Sequence, residues 1–97
     1  MNVRSLFEQR VEPGQQTLIE YLPDGEAVLL NTRTERYFGL DSMGVQIWST
    51  LVSSPTIGEA YESLLDEYDV EAVRLRADLE NFVEDLVSNG LLEVTAG

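Results

Sequence analysis

Arg36-Tyr37-Phe38-Gly39-Leu40-Asp41-Ser42-Met43-Gly44-Val45-Gln46-Ile47-Trp48 is the stretch in which the hydrophobic period changes, and that change decides the fold. Up to Leu40 the residues read as a strand, with Arg36, Phe38 and Leu40 on one face and Tyr37 and Gly39 on the other. Asp41 or Ser42 can then cap a helix. Its apolar residues include Ile47, Trp48, Leu51 and Val52, and Ser53-Ser54-Pro55 ends it.

Working backward, Leu18 to Leu22 and Ala27 to Leu30 are β-type runs separated by the turn residues Pro23-Asp24-Gly25, which is a hairpin signal. Asn31 to Glu35 forms a second polar turn leading into Arg36 to Leu40, so a three-stranded antiparallel meander is expected. Its last strand lies at an edge with unpaired N–H and C=O groups. Residues 1–15, punctuated by Pro13-Gly14, read as a loosely held arm, and the domain proper as residues 16–97.

Working forward, Thr56 and Glu59 form a capping box ahead of Ile57, Ala60, Tyr61, Leu64, Leu65 and Tyr68 at helical spacing. A third helix carries Ala72, Leu75, Leu79, Phe82, Val83 and Leu86 on one stripe and closes at Asn89-Gly90, after which Leu91 to Val94 packs back. Strands followed by helices give an α+β domain in which one small sheet buries one face against three helices. That arrangement is similar to a winged helix-turn-helix.

A chain of 97 residues supports one hydrophobic core, and 43% hydrophobic with 25% charged residues is globular usage. Its formal net charge is −12, and all six of its cations are arginines. Nucleic acids and anionic membranes bind by having their phosphates neutralised, so this charge argues against both. The third helix, which would be the DNA-reading element of a winged helix, holds Arg74 and Arg76 against five acids between Glu71 and Asp85. Without Cys, His or Lys the chain has no thiolate, imidazole or Schiff-base chemistry, no Cys or His zinc site and no disulfide. Catalysis is therefore not expected, nor any cofactor or metal. No apolar run is long enough to span a membrane, and residues 1–15 lack a signal-peptide core, so a soluble cytoplasmic protein is expected.

Three further constellations have ordinary readings. Asp41-Ser42-Met43 is similar to the site at which acyl or peptidyl carrier proteins take phosphopantetheine, here on Ser42, but carriers are all-helical and carry acids just after that serine. A helix cap accounts for Asp41-Ser42 instead. The acidic run Asp66 to Glu71 lacks the spacing of a calcium loop and reads as a solvated turn. Gly39 marks either a bulge before the first helix or a place where another backbone comes close.

Val28 to Asn31, Arg36 to Asp41, Gly44, Ile47-Trp48 and Leu51 together resemble the PqqD-like family of precursor-peptide recognition elements. Thr56, Glu59, Leu64, Tyr68-Asp69, Asp78, Phe82, Leu86 and Gly90 to Leu92 continue the pattern, so the resemblance covers about residues 28–92. It departs at Glu35, where the family often has glycine, and at Met43, where threonine is common. The resemblance implies a non-catalytic protein that binds the leader of a ribosomally made precursor peptide by strand addition and delivers it to a modifying enzyme. Arg36, Tyr37, Phe38, Gly39 and Leu40 would offer the strand edge, and Arg74, Leu75, Asp78, Leu79 and Phe82 the facing wall. The Tyr-Phe-Gly-Leu and Ile-Trp segments look most like the stand-alone proteins of lasso-peptide pathways, whose partner is a leader peptidase. The alternative is a PqqD-type chaperone for a radical-SAM enzyme.

Overall fold

The computed structural model describes residues 5–96. A 3-10 turn at Leu6–Glu8 precedes strands β1 (Arg10–Pro13), β2 (Thr17–Tyr21), β3 (Ala27–Asn31) and β4 (Arg36–Leu40). Helices α1 (Ser42–Ser53), α2 (Ile57–Glu67) and α3 (Ala72–Ser88) follow, and β5 (Leu92–Thr95) ends the order. The antiparallel sheet β2-β3-β4 followed by three helices is the α+β arrangement expected from the period change at Leu40. No helix among the described residues is long and apolar enough to cross a membrane.

The meander has an unbroken register: Ala27 to Asn31 of β3 pair with Leu40 to Arg36 of β4 in reverse order. This excludes a bulge at Gly39, which stands opposite Val28. Ala27, Leu29 and Leu40 point into the core, where they meet Trp48 and Leu51 of α1, Ile57, Ala60 and Leu64 of α2, and Leu79, Val83 and Leu86 of α3. The other face of the meander, carrying Leu18, Glu20, Val28, Leu30 and Tyr37, is uncovered.

The expected loose arm is corrected over its described part. Residues 1–4 lie outside the described residues, but β1 pairs with β5 in a second antiparallel sheet, from Arg10 opposite Thr95 to Pro13 opposite Leu92. Val11 is buried in the core, and the Ile57 N–H donates to Gln9 C=O at 2.8 Å, so residues 5–15 belong to the domain. One buried valine in a polar run leaves no periodic signal, and its pairing partner stands more than eighty residues away, so only the folded chain brings the two strands together. Phe7 is fixed by an edge contact with Tyr61, ring centroids 5.5 Å apart, and by Arg76 stacked 4.2 Å over its ring.

Helices α1 and α2 begin at caps the sequence signals. Asp41, not Ser42, caps α1: its carboxylate accepts from the Gly44 N–H at 2.7 Å. Thr56 caps α2 by accepting from the Glu59 N–H at 3.1 Å. α3 ends in a Schellman motif, Gly90 N–H to Val87 C=O and Leu91 N–H to Leu86 C=O, with Gly90 at φ 71°. The β3–β4 turn closes through Glu35 N–H to Asn31 C=O at 2.8 Å, which places Glu35 at φ 63°. Glu35 thus keeps, at a steric cost, the left-handed conformation that glycine supplies freely.

Two stability outcomes follow from these turns. Glu35→Gly should gain about 0.5–1 kcal/mol, the relief of left-handed strain less the greater chain entropy of glycine. It would appear as a higher urea midpoint at unchanged slope. Asp41→Ala should lose about 1 kcal/mol while Ser42→Ala changes less than about 0.5 kcal/mol. Equal losses at the two positions would assign the cap wrongly.

Candidate functional site

β4 is one of the two edge strands of the β2-β3-β4 sheet, so its outer backbone groups have no partner strand. Which groups it presents follows from the pairing. Leu22 N–H to Glu26 C=O and Thr32 N–H to Gln16 C=O bracket the β2–β3 ladder, so Val28 and Leu30 direct their backbone groups to β2. Ala27, Leu29 and Asn31 therefore bond toward β4, where their partners are Leu40, Phe38 and Arg36. The N–H and C=O groups of Tyr37 and Gly39 are left facing outward. They are spaced two residues apart, the repeat at which an added strand bonds.

Side chains on the same strand supply chemistry beside that backbone. Phe38 and Leu40 share the helix-facing side, and Leu40 is buried whereas Phe38 is half-buried. They line a groove of about 350 Å³ with Asp41, Met43, Gly44 and Ile47 of the α1 end and Phe82 of α3. α3 packs on α2 and β5 and stands away from β4, which keeps the groove open beside the strand edge. Tyr37 projects from the opposite side of the sheet and is 75% exposed. A Cβ on Gly39 would meet nothing within 4 Å, so packing within the chain gives no reason for glycine there.

The expected α3 wall divides. Phe82 joins Phe38 and Leu40 at the groove, whereas Leu79 is fully buried and can only back the wall. Arg74 and Asp78 pair with each other at 3.9 Å on the solvent side of the helix, and neither they nor Leu75 line the groove. Met43, Gly44 and Ile47 were not among the sequence candidates. Ile47 reads as core from its helical spacing, and only the stand-off of α3 exposes one side of it.

Asn31, a turn residue by sequence, does more in the fold. It is the buried polar side chain of the core region, 6% exposed. Its Oδ1 accepts from the N–H groups of Arg33 at 3.0 Å and Thr34 at 3.3 Å, and its Nδ2 donates to Asn89 C=O at 3.0 Å. One amide thus shapes the turn that starts β4 and ties it to the C-terminal end of α3. Residue type alone would suggest an Asx turn; the bond to Asn89, 58 positions away, has no sequence signal.

Residues 26–92 match the family described as coenzyme PQQ synthesis protein D (PqqD). Among solved structures, TbiB1 in complex with the TbiA(beta) leader peptide is 33% identical, with a TM-score of 0.75, covering 84% of this chain and 94% of that one. Lasso peptide synthetase B1 complexed with its leader peptide is 24% identical, with a TM-score of 0.72 over 89% and 98% of the two chains, and it attests the fold. No curated protein sequence matches the chain.

The Asn31 link can be tested directly. Asn31→Ala should cost about 1–3 kcal/mol, because it strands two turn N–H groups and the Asn89 carbonyl. Asn31→Asp, which keeps the turn acceptor but sets a carboxylate against that carbonyl, should recover little of it. Thermal melts of both variants check this, and full stability in Asn31→Asp would show that the bond to Asn89 contributes nothing.

Proposed function

The chain belongs to the PqqD family, and from that premise we propose that it is a non-catalytic recognition element for the leader segment of a ribosomally made precursor peptide. The leader adds as a further strand to the edge of β4 and its side chains enter the groove toward α3. The observation that carries this reading is the open edge at Tyr37 and Gly39 beside the apolar groove of Phe38, Leu40, Ile47 and Phe82. Backbone bonds to the strand then give affinity whatever the leader's sequence, and the groove selects the side chain that faces it.

Arg36 to Leu40 form the strand that receives the leader, and Gly39 leaves the outward side next to it free of a side chain. Beyond Leu40 a leader longer than β4 passes toward the N-terminal half of α3, where Leu75, Asp78 and Arg74 border its path, with Leu79 behind them. TbiB1, 33% identical over most of both chains, was solved with a leader peptide, which supports the same class of ligand here. Delivery to the leader peptidase of a lasso-peptide pathway rather than to a radical-SAM enzyme follows the Tyr37-Phe38-Gly39-Leu40 and Ile47-Trp48 segments, which look like those of the stand-alone proteins of such pathways. The protein does this as a cytoplasmic carrier of the precursor, with no cofactor of its own. A phosphopantetheine role for Ser42 is disfavoured, since that chemistry belongs to all-helical carriers and Ser42 opens α1 directly after a sheet strand.

Two labelled leaders serve as probes in anisotropy titrations: the TbiA(beta) leader and that of the precursor encoded nearest this gene. At least one should saturate in the micromolar range, about −8 kcal/mol. Tyr37→Pro removes an outward N–H from an edge strand and should weaken binding roughly tenfold, about 1.4 kcal/mol, with circular dichroism unchanged. Phe38→Pro removes a ladder bond to β3 and should unfold the sheet instead. Failure of both leaders to bind, or undiminished binding to folded Tyr37→Pro, would show that the ligand is not held on this edge.

A further inference from the structure

The β4–α3 site has a second end whose chemistry differs from the apolar groove. At the Arg36 end of the strand, a cleft of about 500 Å³ is lined by Asn31, Arg33, Thr34, Arg36 and the last turn of α3 from Val87 to Gly90. Two arginines face one opening in a chain of net charge −12. The other arginines with described surroundings are placed differently. Arg74 and Arg76 each lie within 4 Å of a carboxylate one helical turn on, and Arg10 lies in β1, in the other sheet.

Arg33 and Arg36 form no ion pair among the described residues. Glu93 lines the cleft that adjoins Arg33 on its far side, and Glu35 is the neighbour of Arg36 in sequence, yet neither comes within 4 Å of a guanidinium. The α3 carbonyls that would otherwise draw these cations are partly committed: Asn89 C=O accepts from Asn31, and Leu86 and Val87 C=O accept the Schellman bonds. The Asn31 turn fixes the backbone at Arg33, and the two exposed guanidinium groups have donors to spare.

We propose that Arg33 and Arg36 take a carboxylate of the bound peptide and thereby fix its register on β4. This rests on the leader-binding reading and deepens it by naming the second determinant of specificity. Backbone bonding alone leaves an added strand free to slip by two residues, since that repeat restores every bond and every side-chain direction. The apolar groove near Leu40 resists slippage only as far as it distinguishes neighbouring apolar side chains. A carboxylate removes the ambiguity, because elsewhere on the site it meets Asp41 or Asp78 and the general negative field, and only at the turn end does it meet unpaired guanidinium groups. At about 3.4 Å per residue, the separation of Arg36 from Leu40 along the strand puts that acid about three to five residues from the side chain in the groove. The ligand class is therefore an extended peptide with one bulky apolar residue and an acid at a fixed offset from it.

The test is a glutamate scan of whichever of the two leaders above binds more tightly, with its own acids first replaced by glutamine. On the unaltered protein, glutamate should raise affinity about threefold to tenfold at one position, or two adjacent ones, and lower it or leave it unchanged elsewhere. The gain should vanish in Arg33→Gln, whose affinity for the acid-free peptide stays as it was, and should shrink between 0.05 and 0.5 M salt. Arg33→Lys, which keeps the charge, should retain part of the gain. A flat scan, or a gain that survives Arg33→Gln, overturns this proposal while leader binding stands. Absence of binding by the parent leaders overturns the leader-binding reading and this proposal with it.

Discussion

One side-chain amide, that of Asn31, ties the start of β4 to the end of α3. It accepts from the turn that launches β4 and donates to the carbonyl that ends α3, so the strand edge and the helix are fixed relative to each other at this end. The arrangement suits a buried amide, because each polar atom is matched and no charge has to be desolvated. Its neighbours are correspondingly crowded. A Cβ on Gly90 would collide with the Asn31 amide, and one on Gly14 would collide with the Gly90 carbonyl. Two glycines and one asparagine thus let the meander, the end of α3 and the start of β2 meet at a single point.

The second constraint is closure of the chain. A domain of this size buries a modest fraction of its surface, so every additional ordered segment matters. β1 and β5 form a small sheet of their own, bringing Val11, Leu91 and Leu92 into the core beneath α1 and α3. That sheet gives α3 something to pack on other than β4. Had α3 instead lain against β4, the groove would be filled by its side chains and the edge covered, as natural sheets usually arrange. The open edge is therefore a consequence of where α3 finds its packing partners, and the peptide-binding function proposed here depends on that placement.

Electrostatics act at two ranges. The net charge of −12 disfavours polyanions over the whole surface, and it makes any local excess of arginine informative. Arg74 and Arg76 are tied along α3 by ion pairs of the kind that contribute a few tenths of a kcal/mol on an exposed helix. Among the described residues, Arg33 and Arg36 stand without such partners at the end where α3 stops.

The order of elements from β2 to α3 was determined by sequence alone. The change from alternating to helical spacing at Leu40, the caps at Asp41 and Thr56, and the glycine stop at Gly90 are local signals, each set by backbone and side-chain chemistry within a few residues. The edge position of β4 was legible in the same way, since a meander must end on an unpaired strand. The pairing of β1 with β5, the link from Asn31 to Asn89, and the division of α3 into a buried Leu79, a groove-lining Phe82 and a solvent-side Arg74–Asp78 pair were decided only by tertiary structure. Periodicity reports which residues share a face of an element, but what stands opposite that face depends on contacts between segments distant in the chain, and those leave no mark on local spacing.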